Sequence, residues 1–460
     1  MIRTVRSLLF LLIALVVFSS AGPDAREAAA RQAPDPNRHV ILISLDGFPS
    51  AALDDPRAPA PTLQRLAREG VRASAMIPVN PVVTWPNHTT MVTGVLPQKH
   101  QVLFNGILVR DPVSGRPKVE PWRDKREMVK AVTVYDQAHA AGLTTAQVDW
   151  VAIYKAETIT WAFPEVPDPS GAVERELIEA GRLTEDEVAR FNRGSTSAYR
   201  DIVWTDAAIH ILERHKPNLL LYHLLALDSA HHVYGPGTLA GTTTIAFVDA
   251  QVARLLAALD RAGLRDRTTV VVVSDHGFRS ATKTIYPNAL LRSAGLVTGQ
   301  GDTLRAEAWS QAWGGSAGIY VRDAARRAEL VPKIAALLKD VEGVTRVVSG
   351  ADVRALGLPD AESSDQAPDI VVAAADGYEF GGRDSGDVVG PVEPNHLGHH
   401  GVLNDHPSMR ALFIAWGRDV AAGRTIGEVR TQDVAPTIAE WLGVSLPDAE
   451  GRSLAAQLAP

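Results

Sequence analysis

The chain has 460 residues, 46% of them hydrophobic and 22% charged, with a formal net charge of −7 and no cysteine. That length suits one large domain with an insertion, or two domains, and the composition is that of a globular protein able to bury a sizeable core. The negative balance argues against a nucleic-acid scaffold; the lack of cysteine excludes disulfides, thiolate nucleophiles, cysteine-held zinc and a lipidated N-terminal cysteine.

Arg3 and Arg6 precede an apolar run over 8–18 and the small residues Ser19, Ser20 and Ala21. Basic, apolar, then small residues is the pattern of a secretory signal peptide, expected over 1–21, so the mature protein is expected to be periplasmic or secreted. The run is short for a membrane span, and no later segment reads as one. Residues 22–37, rich in Ala, Pro and charge, read as a disordered leader.

The run HVILISL over 39–45 is continuously apolar and ends in Asp46-Gly47. It reads as a buried strand of a parallel sheet. The run over 218–227 repeats the design before Asp228, and the run over 268–274 repeats it before Asp275-His276-Gly277. Between them, 61–69 begins with proline and stops at Gly70, as helices do, and 201–215 and 243–262 are amphipathic. Residues 409–416 read as another strand and 435–442 as a last helix. Strands alternating with helices predict a doubly wound, mainly parallel α/β fold. Mixed signals over 281–395 predict a smaller α+β cap inserted into a core formed by 38–280 and 396–460.

Ligands in such sheets bind at the carboxyl ends of strands, so three strand-end aspartates are expected to converge. Asp46 follows the first strand; Asp228 and His232 stand four apart; Asp275 and His276 are adjacent; His399 and His400 share one loop. Zinc accepts imidazole nitrogen and carboxylate oxygen. Three Asp and three His fit two zinc ions, and their negative charges offset much of the metals' positive charge.

Thr84 lies in VTWPNHTT, at a turn just before a helix. Alone it reads as a capping residue. Beside metal ligands it reads as a nucleophile whose hydroxyl a metal activates, with the helix N-terminus suited to a phosphate.

These stretches together resemble the alkaline phosphatase superfamily, most closely its nucleotide pyrophosphatase/phosphodiesterase branch. The resemblance runs from about residue 38 to 455. It rests on Asp46-Gly47, PTLxxLAxxGV over 61–71, TWPNHTT over 84–90, TGxxPxxH over 93–100, DxxxHxxGP over 228–236, the SDHG of 274–277, His400-Gly401 and the tail DVAPTI over 433–438. It implies an alkaline phosphatase-like fold and two Zn2+, one held by Asp228, His232 and His400, the other by Asp46, Asp275, His276 and the Thr84 oxygen. The motif spacing selects His232 over His231 and His400 over His399. It also implies that the Asn twenty-one residues after the nucleophile, Asn105, binds a phosphoryl oxygen. Here the chain departs from its relatives: they usually read HGIxxN, whereas Gln101 stands in the glycine position.

The expected substrate is a small-molecule phosphate ester. Thr-Trp-Pro-Asn at the nucleophile opposes a formylglycine sulfatase. Lys155-Ala-Glu157 lacks the Arg of a Lys-x-Arg phosphate grip, which tilts the expectation from monoesters to diesters. Phosphomonoesterase and phosphonoacetate-type activity share the expected metal site, and a non-catalytic metal-binding protein is the reading from another class. Trp85, Phe104, Trp150 and Tyr154 are candidates to stack a nucleobase or cage a choline, against the commoner role of packing.

Overall fold

Buried β-branched and leucine residues build the central strand, β1 (His39–Leu45), in which every position is buried. The computed structural model describes residues 34–460, so the expected signal peptide and most of the expected leader lie outside the described residues. Around β1 stand β2 (Val71–Ala73), β3 (Thr145–Val148), β4 (Trp161–Phe163), β5 (Leu219–Leu224), β6 (Thr268–Val273), β7 (Phe413–Gly417) and β8 (Arg424–Ile426), in the sheet order β8-β2-β7-β6-β1-β5-β3-β4. The pairings β1–β5, β1–β6, β3–β5, β3–β4 and β2–β8 are parallel, whereas β7 runs antiparallel to both β6 and β2.

The period of two along β1 sends alternate residues to opposite faces. Ile41, Ile43 and Leu45 pack with α1 (Pro61–Glu69), α4 (Ser197–His215) and α6 (Leu239–Arg261) through Leu63, Leu66, Trp204, Ile211, Val248 and Leu255. Val40 and Leu42 pack on the other face with α2 (Thr84–Thr93), α3 (Val134–Ala140) and α7 (Val434–Leu442) through Met91, Val134, Ile438 and Leu442. Both faces are covered, which is why the strands read as continuous apolar runs. Helix α6 is long and apolar enough to cross a membrane by length and composition, but half of that stretch is buried inside the protein.

One sequence expectation is corrected. The apolar run over 218–227 is not one strand ending on Asp228. Strand β5 stops at Leu224, and α5 (Ala226–Tyr234) starts almost at once, so Asp228 lies in a first helical turn with His232 one turn on. The buried carboxylate of Asp201 forces the break: it accepts the N–H groups of Leu225 (2.9 Å) and Ala226 (3.0 Å), satisfying donors that a helix start leaves open.

Residues 308–374 hold a separate antiparallel sheet of Ala308–Ala312, Ser316–Val321, Ile370–Ala374 and Val344–Ser349, with its own apolar cluster around Ile319, Ile334, Leu338 and Val372. The strand Arg279–Ile285 leaves the β6 end, and its first residues pair with Gly398–His399. That pairing returns the chain to the same sheet edge. Helix α7 stands where sequence periodicity puts a late helix, with the short helix Ala455–Leu458 after it, whereas β7 starts at Phe413 and not at 409, because Pro407–Met409 forms a 3-10 turn.

Asp201→Ala is expected to leave two helix-start N–H groups unpaired and to cost about 2–4 kcal/mol. Chemical denaturation checks this; a loss below about 0.5 kcal/mol would remove Asp201 as the reason α5 starts there.

Candidate active site

The parallel register aligns the carboxyl ends of the three central strands: Leu45 pairs with Leu224 and Ser44 with Val273. Asp46 and Asp275, one and two residues beyond those ends, therefore share one edge with the start of α5. Asp46 and Asp275 are fully buried and Asp228 is 8% exposed. The structure brings Asp46, Asp228, His232, Asp275, His276 and His400 together. His276 Nε2 lies 3.1 Å from Asp275 Oδ2 and 3.4 Å from Asp46 Oδ1. Asp228 Oδ1 lies 3.5 Å from His232 Nε2 and 3.8 Å from His400 Nε2. The His276 and His400 rings stack with centroids 3.8 Å apart.

Each histidine is oriented by its other nitrogen. The Nδ1–H of His232 donates to the carbonyl of Gly398 (3.1 Å), that of His276 to Gly277 (3.1 Å) and that of His400 to Val82 (2.9 Å). All three Nε2 atoms are thereby left facing the carboxylates, the arrangement that orients metal-binding imidazoles. His231 and His399 have other uses. His231 Nδ1 bonds the carbonyl of Gly47, and His399 Nε2 accepts from Arg279 Nε.

The polar atoms at the centre have no hydrogen-bond partner: Asp46 Oδ1, Asp228 Oδ1, Asp275 Oδ2 and His276 Nε2 are all buried and unpaired. Buried polar atoms are almost always paired, so four atoms without a hydrogen bond in one place, two of them meeting only in the Asp275–His276 ion pair, mark a candidate cation site. The donor set of carboxylate oxygen and imidazole nitrogen suits zinc. Two compact groups emerge, Asp46–Asp275–His276 and Asp228–His276–His400. A third group, Glu176, His210 and His215, differs: both imidazole Nε2 atoms lie 2.7 Å from one Glu176 oxygen, so hydrogen bonds within the protein already satisfy it.

The electrostatics agree. Burial, then the like charges of Asp275 and Asp228, push the Asp46 carboxyl well above the usual carboxylate range. Burial disfavours the Asp275 anion too, but His276 and His88 outweigh it and hold its pKa below that range. Burial likewise opposes a charged His276, yet Asp275 and Asp46 raise it to about 9.

Thr84 is the first residue of α2 and nearly buried. Its neighbours tie it to both ligand groups. The carbonyl of Val82 accepts from His400 Nδ1 and from the N–H of Gly401 (2.9 Å). His88 Nδ1 bonds the carbonyl of Thr84 (2.9 Å) and lies 3.8 Å from Asp275 Oδ2. Asn87 fixes the approach, its amide donating to the carbonyls of Val79, Pro81 and Val83. Gly401 takes φ +71°, and a Cβ there would stand 1.8 Å from the carbonyl oxygen of Trp313, so only glycine fits beside His400.

Asn105 meets the same helix start: its Oδ1 accepts the N–H of Trp85 at 3.0 Å, which leaves its amide N–H groups to donate. Gln101 takes φ +66° at the C-cap of the short helix Pro97–His100. The left-handed conformation suits the glycine expected at this position, and Gln101 adopts it with its side chain anchored on Gln98 and Ser364.

A cavity of about 410 Å³ opens beside Trp85, lined also by Met128, Gln147, Trp150, Tyr154 and Glu174. Phe104 takes no part: it packs on Trp313 (5.5 Å) and Tyr320 (6.3 Å), so its expected candidacy for stacking is corrected to a packing role. Lys155 also lines the cavity and pairs with Asp124 at 3.0 Å.

Sequence reasoning missed His88, His223 and Asp149. His223 Nε2 lies 3.1 Å from Asp46 Oδ2 and its Nδ1 lies 2.9 Å from Asp149 Oδ2. A histidine in the middle of an otherwise apolar strand run was the available signal.

The sheet order and covered faces define an alkaline phosphatase-like α/β fold. Solved structures of murine and human ectonucleotide pyrophosphatase/phosphodiesterase 5 share it. The murine protein, as an inactive variant in complex with AMP, superposes with a TM-score of 0.69 at 19% identity, covering 92% of this chain and 100% of that one; the human protein gives 0.68 at 19% identity. Residues 40–403 match the type I phosphodiesterase/nucleotide pyrophosphatase family, and the chain belongs to that family of hydrolases. Curated relatives include a pyrophosphatase/phosphodiesterase of Schizosaccharomyces pombe, 27% identical over 52% of this chain and 44% of that protein. Human ectonucleotide pyrophosphatase/phosphodiesterase family member 1 is 26% identical over 55% of this chain and 25% of that protein. Mouse family member 7 is 25% identical over 56% and 54%. The chain thus matches about half or less of the length of these relatives.

Because the folded-state pKa of Asp46 is raised, the contribution of Asp46 to the stability of the metal-free protein falls as pH rises from the unfolded carboxylate range through the folded value. At pH 8 with chelator, Asp46→Asn is expected to be the more stable protein by about 1 kcal/mol or more; equal or lower stability in thermal melts would contradict the carboxylate crowding.

Proposed function

We propose that this protein is an exported phosphodiesterase/pyrophosphatase that hydrolyses small phosphate esters at two zinc ions through a phospho-threonine intermediate. The observation that carries the reading is the group of four buried, unpaired ligand atoms tied to the loop that presents Thr84. In this reading Asp228, His232 and His400 hold one ion, and Asp46, Asp275, His276 and the Thr84 oxygen hold the other. Zinc bound there lowers the pKa of an attached hydroxyl and neutralises charge on oxygens bonded to phosphorus.

The chain's own residues do the rest. Thr84 Oγ1, held at the start of α2, attacks phosphorus in line with the departing oxygen. A phospho-threonine forms and the alcohol or phosphate leaves; water then attacks the phosphorus in the second step and restores Thr84. The Asn105 amide donates to a non-bridging oxygen, and the α2 N-terminus offers its positive end to the same group. Donors fixed before reaction stabilise the charge of the transition state without reorganising.

The cavity beside Trp85 takes the group on phosphorus. Its aromatic lining by Trp85, Trp150 and Tyr154 suits a flat base, and the murine structural neighbour holds AMP. Lys155, the cation that lines it, is already paired with Asp124 at 3.0 Å, which favours a diester or pyrophosphate over a dianionic monoester. We further propose that 281–395 is a cap inserted into the core, supported by its separate sheet, and that the segment over 1–21 directs export to the periplasm or medium.

Thr84→Ala is expected to keep two zinc ions per chain and lose at least about 1,000-fold in turnover; rates within tenfold of wild type would refute the nucleophile. Asn105→Ala should cost about 100-fold in kcat, measured with the same substrate. Comparing bis-p-nitrophenyl phosphate, p-nitrophenyl phosphate, a nucleotide pyrophosphate and phosphonoacetate tests the substrate class. Fastest turnover of the first or third supports this reading, and that of the second or fourth overturns it.

A further inference from the structure

We propose that Asp149 and His223 are positioning residues that fix the Asp46 carboxylate for metal, and that the turn carrying Asp149 thereby ties the substrate cavity to the metal centre. The inference rests on the two-zinc reading above and concerns residues outside that ligand set.

His223 is the one histidine on β5, a strand buried along its whole length, and its side chain is 2% exposed. Its ring faces acceptors on both sides. Nε2 lies 3.1 Å from Asp46 Oδ2; Nδ1 lies 2.9 Å from Asp149 Oδ2 and 3.1 Å from the Asp149 carbonyl. Both ring nitrogens therefore meet a carboxyl group, that of Asp46 on one side and that of Asp149 on the other. The consequence for Asp46 is a division of labour. Oδ2 is tied to His223, while Oδ1 has no hydrogen-bond partner and faces His276 Nε2. A carboxylate free to swing could spread both oxygens over one ion; one held by a single oxygen presents the other in a set direction.

The support itself is confined. The His223 ring packs edge-on against His88, with centroids 4.6 Å apart, and His88 packs likewise on Trp150 at 4.8 Å. Asp149 is buried, and its carboxylate oxygens have no hydrogen bond beyond the ion pair with His223. It also takes φ +55°, followed by Ala152 at +54° and Lys155 at +53°. Three left-handed non-glycine residues within seven are uncommon, and such conformations persist where the surroundings over-determine them. Trp150 and Tyr154 of this turn line the cavity beside Trp85. One constrained turn therefore sets both a wall of the substrate cavity and, through His223, the direction of Asp46.

The test is zinc affinity by chelator competition on the full chain, for wild type, Asp149→Asn, His223→Gln and His223→Leu, alongside thermal melts in chelator. Asparagine keeps the shape and tolerance of positive φ at 149; glutamine can still donate to Asp46, whereas leucine cannot. The expected result is a loss of about 10–100-fold in affinity at one of the two sites, with the other within threefold. His223→Leu should lose more than His223→Gln, and melting in chelator should not predict the order. Unchanged affinities, equal weakening of both sites, or losses that follow the chelated melting temperatures would overturn the proposal. Should His223→Leu fail to fold, Asp149→Asn decides alone. Wild type that binds no zinc would instead sink the two-zinc reading, a result distinct from any of these.

Discussion

Three carboxylates crowded out of water at one sheet edge govern this molecule. Asp46, Asp228 and Asp275 repel one another in a place where water cannot screen them, and each leaves an oxygen unpaired. Without cations such a cluster destabilises a fold. Its persistence needs a scaffold that holds the groups together, and the protein supplies one: two parallel strand pairings in register with β1, a helix start pinned by Asp201, and a returning strand pair that brings His400 back to the edge.

The same scaffold places the nucleophile. The Val82 carbonyl and the His88 ring are shared between the Thr84 segment and the ligand groups, so that segment cannot shift without disturbing a ligand. This coupling is what a two-step displacement asks for: the attacking oxygen stays in place while only substrate and water move. The contrast with Glu176, His210 and His215 is instructive. There the same donor types close to hydrogen-bonding distance and need nothing further.

Much of this was legible in the sequence because the central strands are buried on both faces and end on charged residues. Apolar runs closing on Asp46 and on Asp275-His276 announce themselves. Asp228 was legible as a residue and misplaced as an element: Leu225, Ala226 and Leu227 continue the apolar run, and the break comes from the distant Asp201 carboxylate. Phe104 shows the same limit, since its partners Trp313 and Tyr320 are two hundred residues away. His223 shows only as a histidine inside an apolar strand run and Asp149 carries no local pattern, so their meaning exists only once β5 and the turn after β3 lie side by side. Gln101 is the converse case, a departure from the expected motif that the backbone absorbs by taking the left-handed conformation.

Diffraction from crystals of the zinc-loaded protein, measured on both sides of the zinc absorption edge, tests the central claim most directly. The account predicts two anomalous peaks, one against Asp46, Asp275 and His276 and one against Asp228, His232 and His400. Absence of both, or peaks only elsewhere, such as at Glu176, His210 and His215, would contradict it.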